Sequence, residues 1–292
     1  MSPERIPPAE LRAKAEAAAA ALPPLLLARG PIAATVAPGG HGLRRPGLGE
    51  DFWQYRLAHE GDTASAIDWR RSARGDSRFV RDRERQTART AAIWLGRGAG
   101  MDYAGQQGSE TKLDRARVIG LALSLALIRA GERVALLGDS PGSGATQAAK
   151  LSEAIAAVAP LARDADAPAL GTARAGQVII LIDDFLNDTS DLGSFLQAAS
   201  DLGASGVILQ LLHPDEEVFP FDGAIRFETV GGLQHDTRDA GGLRAAYLAR
   251  LDERRALLAR MAQQTGFVFG THDLGRPVTE AMIWLHGVLA AR

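Results

Sequence analysis

Cysteine is absent from the 292-residue chain, which removes disulfides, thiolate metal centres and cysteine nucleophiles together. Lysine is scarce: of 33 basic side chains only Lys14, Lys112 and Lys150 are lysines, and the rest are arginine. No apolar run is long enough to cross a bilayer. The best candidate, Val118 to Ile128, contains Ser124 and covers only about three helical turns. The N-terminus reads Met-Ser-Pro-Glu-Arg, and the run Leu22-Pro23-Pro24-Leu25-Leu26-Leu27 is broken by proline, so no secretory signal is expected. These absences predict a cytoplasmic chain without membrane insertion. The formal net charge of −2 gives no bias toward nucleic acid or anionic lipid, and no positive stripe forms because acids interleave with the arginines. His213, His235, His272 and His286 are scattered without ligand spacing, and no lysine follows the glycine-rich loop as phosphate binding of the Walker type requires.

What is present describes a globular protein: 46% hydrophobic and 23% charged residues, with length enough for one large domain or two small ones. Ala9 to Leu22 is an alanine-rich helical run whose small side chains need a surface to dock on. Pro38 to Gly49 reads as a glycine- and proline-rich loop, and Arg78 to Arg85, alternating in charge sign, as a strand or arm. From residue 90 strands and helices alternate. Thr90–Leu95, Arg133–Leu137, Gln177–Ile182, Val207–Leu212, Ala224–Val230 and Phe267–Thr271 read as strands. Between them Leu113–Ala130, opened by Thr111 and Asp114 and closed by Gly131, is apolar on nearly every side and therefore a buried helix. Thr146–Val158, the Leu192–Leu202 face, the Leu243–Met261 face and a final helix begun near Pro277 complete the series. Apolar strands alternating with helices predict a Rossmann-type α/β fold, a mostly parallel sheet covered on both faces. The expected division is 1–85, an N-terminal helix and β-rich arm, and 86–292, the α/β domain.

The densest chemistry lies between Gly61 and Gly75. Asp62, Asp68, Trp69, Arg70, Arg71 and Arg74 stand close enough to pair across a turn, because a guanidinium can hold a carboxylate bidentately and stack on an indole. Two uses stay open: an internal clamp that fixes the arm, or a surface that meets a partner. Gly49-Glu50-Asp51-Phe52, Tyr55-Arg56, Gly61-Asp62, Ile67-Asp68-Trp69, Ser72-Ala73-Arg74, Arg81 and Glu84, taken in order over residues 49–84, resemble the signature of the DUF58 family. That resemblance implies a sheet like that of the von Willebrand factor A (vWA) domain. It also implies partnership with a MoxR-type AAA+ ATPase and with other vWA proteins; it does not by itself imply an activity.

A vWA-like fold further implies a divalent-metal site at the strand ends, built from an Asp and two Ser after the first strand, a Thr from a later loop and an Asp after a central strand. Laid on that pattern, Gly96, Gly98 and Gly100 stand where the Asp and both Ser would be, and only Thr146 and Asp184 keep side-chain oxygens. A hard cation wants more oxygen ligands than that, so a degenerate, metal-free site without cofactor is expected. Thr146 reads equally as a helix N-cap and Asp184 as an ordinary strand-end acid.

One catalytic pattern competes. Gly138-Asp139-Ser140-Pro141-Gly142 matches the Gly-x-Ser-x-Gly elbow of serine hydrolases, with Asp184 or Asp215 and then His235 or His272 in the hydrolase order. Pro141 weighs against it, since the residue after the serine must lend a backbone N–H to the oxyanion hole and proline has none. The leading expectation is a non-enzymatic interaction module, an adaptor or substrate-presenting partner of a MoxR-type ATPase. The alternative is a hydrolase using Ser140, His272 and Asp184.

Overall fold

The computed structural model describes residues 6–27, 46–57, 69–72, 79–84, 88–106, 110–161, 166–228 and 234–290. The chain divides into two units, Met1–Ala34 with Arg89–Arg292, and Thr35–Ala88. This moves the N-terminal helix out of the expected 1–85 segment. Helix α1 (Pro8–Ala20) buries Leu11, Ala15, Ala18 and Ala19 in the core of the larger unit. Its small side chains let it lie against another helix, and Arg129 of that helix donates to the Ala19 carbonyl.

The smaller unit holds β1 (Pro46–Leu57), α2 (Trp69–Ser72) and β2 (Phe79–Glu84), with β1 and β2 paired antiparallel. Strand β1 begins inside the stretch read as a loop, and its register shifts between Gly47 and Phe52 where extra residues are accommodated. The Ser72 hydroxyl accepts from the Phe79 N–H at 2.9 Å, tying the short helix to the second strand.

In the larger unit, β3 (Thr90–Leu95), α3 (Lys112–Arg129), β4 (Arg133–Leu136), α4 (Gly144–Ala157), β5 (Val178–Asp183), α5 (Ser190–Asp201) and β6 (Ser205–Leu212) follow in turn. After them come α6 (Pro214–Val218), β7 (Ile225–Glu228), β8 (Gln234–Thr237), α7 (Arg244–Thr265), β9 (Phe267–Asp273) and α8 (Val278–Ala290). Five strands form one sheet in the order β4-β3-β5-β6-β9, and every neighbouring pair is parallel. The run read as a strand from Ala224 does not join it: β7 pairs antiparallel with β8 in a separate hairpin.

Alternation along β5 shows how both faces are covered. Val178, Ile180 and Ile182 enter the core shared with α1, α3, α4 and α8, while Ile179 and Leu181 enter the core shared with α5 and α7. Successive side chains of a strand point to opposite faces, so an unbroken apolar run feeds two cores at once. Helix α3 is buried almost all round, as its sequence predicts, and Thr111 caps it by accepting from the Asp114 N–H at 3.0 Å. No helix among the described residues is long and apolar enough to cross a membrane.

Candidate functional site

The connection that leaves β3 runs through α3 on one face of the sheet to β4, and the connection that leaves β5 runs through α5 on the other face to β6. The chain therefore parts outside the C-terminal ends of β3 and β5, the place where open α/β sheets form their ligand crevice. Gly96 leaves β3 there and donates its N–H to the Ile182 carbonyl at 2.8 Å. Asp183 ends β5, and Asp184 follows.

Glycine at 96 and 100 lets this acidic pair pack against the β3 loop. A Cβ at Gly96 would stand 2.0 Å from Asp183 Oδ1, and one at Gly100 would stand 2.6 Å from Asp184 Oδ2. Gly98 begins the short 3-10 turn Ala99–Asp102. The space that ligand side chains would fill at 96 and 100 is thus taken by the carboxylates.

The cation facing them is Lys112, the first residue of α3. Its side chain is fully buried, and Nζ donates to Asp184 Oδ2 at 2.7 Å and to Glu216 Oε1 at 2.6 Å. The ammonium also lies 5.8 Å from the centroid of the Tyr103 ring. Each carboxylate is oriented from its other side. Asp184 Oδ1 accepts from the Leu186 N–H at 3.2 Å, and Glu216 Oε2 accepts from the His213 N–H at 2.8 Å as part of the capping box of α6. Gln210 Nε2 holds the Asp184 carbonyl at 2.8 Å, while Tyr103 donates its hydroxyl to Asp215 Oδ2 at 3.3 Å.

Among the described residues Phe185 and Phe219 are the two non-glycine residues at positive φ, 49° and 47°. One follows Asp184 and the other follows α6. Left-handed backbone costs about 1–2 kcal/mol in such residues, so the strain sits beside the elements that bring the two carboxylates to Lys112.

Burial would deprotonate Lys112, but the facing charges of Asp184 and Glu216 outweigh it and raise its pKa above the ordinary lysine value. Burial raises Glu216, against the opposing pull of Lys112. Asp183 is driven well above the usual carboxylate range by burial and then by the adjacent charge of Asp184. Its Oδ1 has no hydrogen-bond partner among the described residues. Burial also raises the Tyr103 hydroxyl, reinforced by Asp215 and Glu216.

One turn further along α3, Arg115 donates to Glu110 Oε2 at 2.6 Å, to His272 Nε2 at 2.9 Å, and to the Arg276 and Leu274 carbonyls at 2.7 and 3.0 Å. Since a guanidinium only donates, His272 is neutral at Nε2. Burial, and then Arg115 with a smaller push from Arg276, lowers its pKa to about 4, opposed by Asp273 and Glu280. A histidine held below its unfolded value binds fewer protons in the folded state. Its contribution is therefore intact above about pH 6.5 and lost as pH falls toward about 4, a difference of about 3 kcal/mol. Urea unfolding at pH 7 and pH 4.5 should show that step in the parent and not in His272→Gln; equal acid losses in both would assign the step elsewhere.

Two clefts, of about 490 and 420 Å³, flank this contact, the first lined by His272 and the second by Arg115. Neither is lined by Gly96, Lys112, Asp183 or Asp184.

Of the residues read from the sequence, Gly96, Gly100 and Asp184 come together. Thr146 does not join them: it is exposed in the first turn of α4, whose N-cap is Ser143, not Thr146. Ser140 is exposed in a turn after β4, where the chain folds back and Gly142 bridges Val134. That is not the strand–serine–helix elbow. His272 lies on β9, the opposite edge strand of the five. Four strand spacings, about 19 Å, separate the two edges, and Asp184 is engaged by Lys112, so the hydrolase triad is not assembled. Trp69 and Arg70 are exposed on α2. Gly61, Asp62, Asp68 and Arg74 lie outside the described residues, as does the side chain of His235.

Sequence reasoning missed Lys112, Asp183, Glu216 and Tyr103. One signal lies in the sequence: a lysine stands at the start of a buried helix in a chain whose cations are nearly all arginine. The divalent ion implied by the family resemblance can be tested on these groups. Hard cations need several free oxygen donors, yet Asp184 and Glu216 already hold Lys112 Nζ and the positions at 96 and 100 have no room for side chains. The residues present do not fit the ion.

No curated protein matches the sequence. Among solved structures, the chain is similar to the conserved hypothetical protein BatB from Bacteroides thetaiotaomicron, at 14% identity and a TM-score of 0.41, covering 70% of this chain and 100% of that one. It is also similar to an aerotolerance-related membrane protein from Bacteroides fragilis, at 14% identity and a TM-score of 0.38, covering 68% and 99%. The family model for the protein of unknown function DUF58 matches residues 54–256. That span takes in β2, the whole sequence from β3 to β8 and the strand-end cluster, and the chain belongs to the DUF58 family.

Proposed function

We propose that this protein is a non-enzymatic, cytoplasmic interaction module with a vWA-like sheet and a degenerate metal site. It acts as an adaptor or substrate-presenting partner of a MoxR-type AAA+ ATPase. The observation that carries the non-enzymatic half is the closed crevice. Where a parallel sheet keeps its ligand chemistry, this chain has two carboxylates satisfied by one buried ammonium. The ATPase comes from the family resemblance on residues 49–84. Interaction surfaces need no reactive group, so Trp69 and Arg70, exposed on α2, are suited to that role.

Sedimentation of the purified chain with a purified MoxR-type ATPase tests the reading. A complex is expected in nucleotide-free buffer, undiminished by EDTA. Fluorophosphonate probes should leave the protein unlabelled. Absence of any complex, together with labelling that disappears in Ser140→Ala, would replace the adaptor with the hydrolase.

A further inference from the structure

The two edges of the five-stranded sheet differ. Along β4 the chain covers its own edge, where Val134 and Gly142 exchange backbone hydrogen bonds of 2.8 and 3.2 Å. Nothing comparable among the described residues covers the outer edge of β9. We propose that this edge receives an extended segment of a partner protein, which adds to the sheet as a further strand and brings a lysine or arginine to Asp273.

The backbone sets the first requirement. The Leu274 N–H reaches the Leu212 carbonyl at 2.9 Å, and β9 keeps an unbroken parallel register with β6 up to Asp273. In a parallel pair the N–H and C=O of one residue point to the same side, alternately toward and away from the neighbour. Gly270 and His272 therefore bond to β6, while Phe269 and Thr271 present both groups outward. No hydrogen bond occupies those four groups among the described residues, and Thr271 is exposed. The edge also lacks the usual protections, since β9 contains no proline, lysine or bulge. A row of alternating donors and acceptors of this kind fits an extended main chain.

The cleft of about 490 Å³ sets the side-chain preference. It runs beside this edge, lined by Thr271, His272 and Asp273 from β9, Glu280 and Trp284 from α8 and Arg255 from α7. Its charges are matched within the chain but for one. Arg255 pairs with Glu217, and Arg276 pairs with Glu280 at 3.1 Å. His272 is neutral against Arg115. Asp273 accepts from the Gly275 N–H at 2.8 Å and forms no ion pair among the described residues. A basic side chain on the incoming strand completes the set, and an acidic one is repelled. This inference goes beyond the adaptor reading and does not use its ATPase, so the two can fail separately.

Random seven-residue peptides, matching β9 in length, are to be displayed on phage and panned against the purified chain, with Thr271→Pro as the counter-target. Proline at 271 removes an N–H that faces outward and is tolerated on an edge, so the variant should melt like the parent and yet refuse the strand. Enriched peptides should carry a lysine or arginine, bind Thr271→Pro about tenfold or more weakly than the parent, and lose binding when alternate amides are N-methylated. In Asp273→Asn the preference for a basic residue should disappear. Failure to enrich any peptide, equal binding to the parent and Thr271→Pro, or enrichment of acidic peptides would overturn the proposal. So would a parent that sediments as a dimer and becomes a monomer in Thr271→Pro, since the edge would then belong to a second copy. Should Thr271→Pro not fold, the N-methylated peptides decide with the parent alone: undiminished binding refutes strand addition, and lost binding supports it.

Discussion

Lys112→Met is expected to lower the unfolding free energy by about 3–5 kcal/mol, the range found when one member of a buried ion pair is removed. Methionine keeps most of the side-chain volume, so little of the loss would come from a cavity. What remains is an electrostatic fault: Asp184 and Glu216, both oriented by backbone N–H groups, face each other without the ammonium that joined them. Neither can turn away cheaply. The Asp184 carbonyl is held by Gln210, and Glu216 closes the capping box of α6. The triple variant Lys112→Met, Asp184→Asn, Glu216→Gln removes the uncompensated charges and should recover most of the loss. Urea unfolding at neutral pH distinguishes the cases. A Lys112→Met protein within 1 kcal/mol of the parent would mean that the cluster is not closed to water.

The α/β class, the strand order of events along the chain and the buried character of α3 were all legible because they rest on local periodicity. The apolar run of β5 is readable as a two-faced strand from its own six residues, and Gly131 marks the end of α3 without reference to anything distant. Asp184 was legible too, as the acid that the family resemblance places after a central strand, although its neighbour Asp183 was not. Its partners were not. Lys112 is 72 positions away and Glu216 lies 104 positions from Lys112, and pairings at such separations leave no periodic trace. Glu216 stands in the acidic run Asp215-Glu216-Glu217, and α6 turns it inward through its own capping box. Asp215, weighed as a triad acid, instead receives the Tyr103 hydroxyl. The same limit explains the hairpin of β7 and β8: four residues of strand character cannot say which sheet they will join. Ser140 shows the reverse error, a five-residue pattern whose meaning depends on a helix beginning at once, where this chain first folds back to bridge Val134.

Gly96→Asp is the second substitution with a large expected effect, and its sign decides whether the crevice is closed or merely lacks a ligand. If the position had only lost a donor, restoring an aspartate should be tolerated and should invite Mg²⁺. The geometry argues otherwise. A Cβ at 96 would stand 2.0 Å from Asp183 Oδ1, 2.2 Å from its Cγ and 2.7 Å from its Cβ. Rotating the Asp183 carboxylate relieves the first two contacts and leaves the third, because a Cβ moves only with its backbone. That backbone is fixed in β5, between β3 and β6. Overpacking of this kind costs about 1–3 kcal/mol before any charge is counted. The new carboxylate would then join Asp183 and Asp184 in a buried region whose one ammonium, Lys112, is already shared between Asp184 and Glu216. Gly96→Ala measures the steric part alone and should lose about 1–3 kcal/mol. Gly96→Asp should lose clearly more, and excess Mg²⁺ should not restore it. Pairing Gly96→Ala with Asp183→Gly exchanges which strand carries the side chain and should return much of the steric loss. A Gly96→Asp protein as stable as the parent, whose midpoint then climbs with Mg²⁺, would show that the strand end is an open metal site missing one ligand.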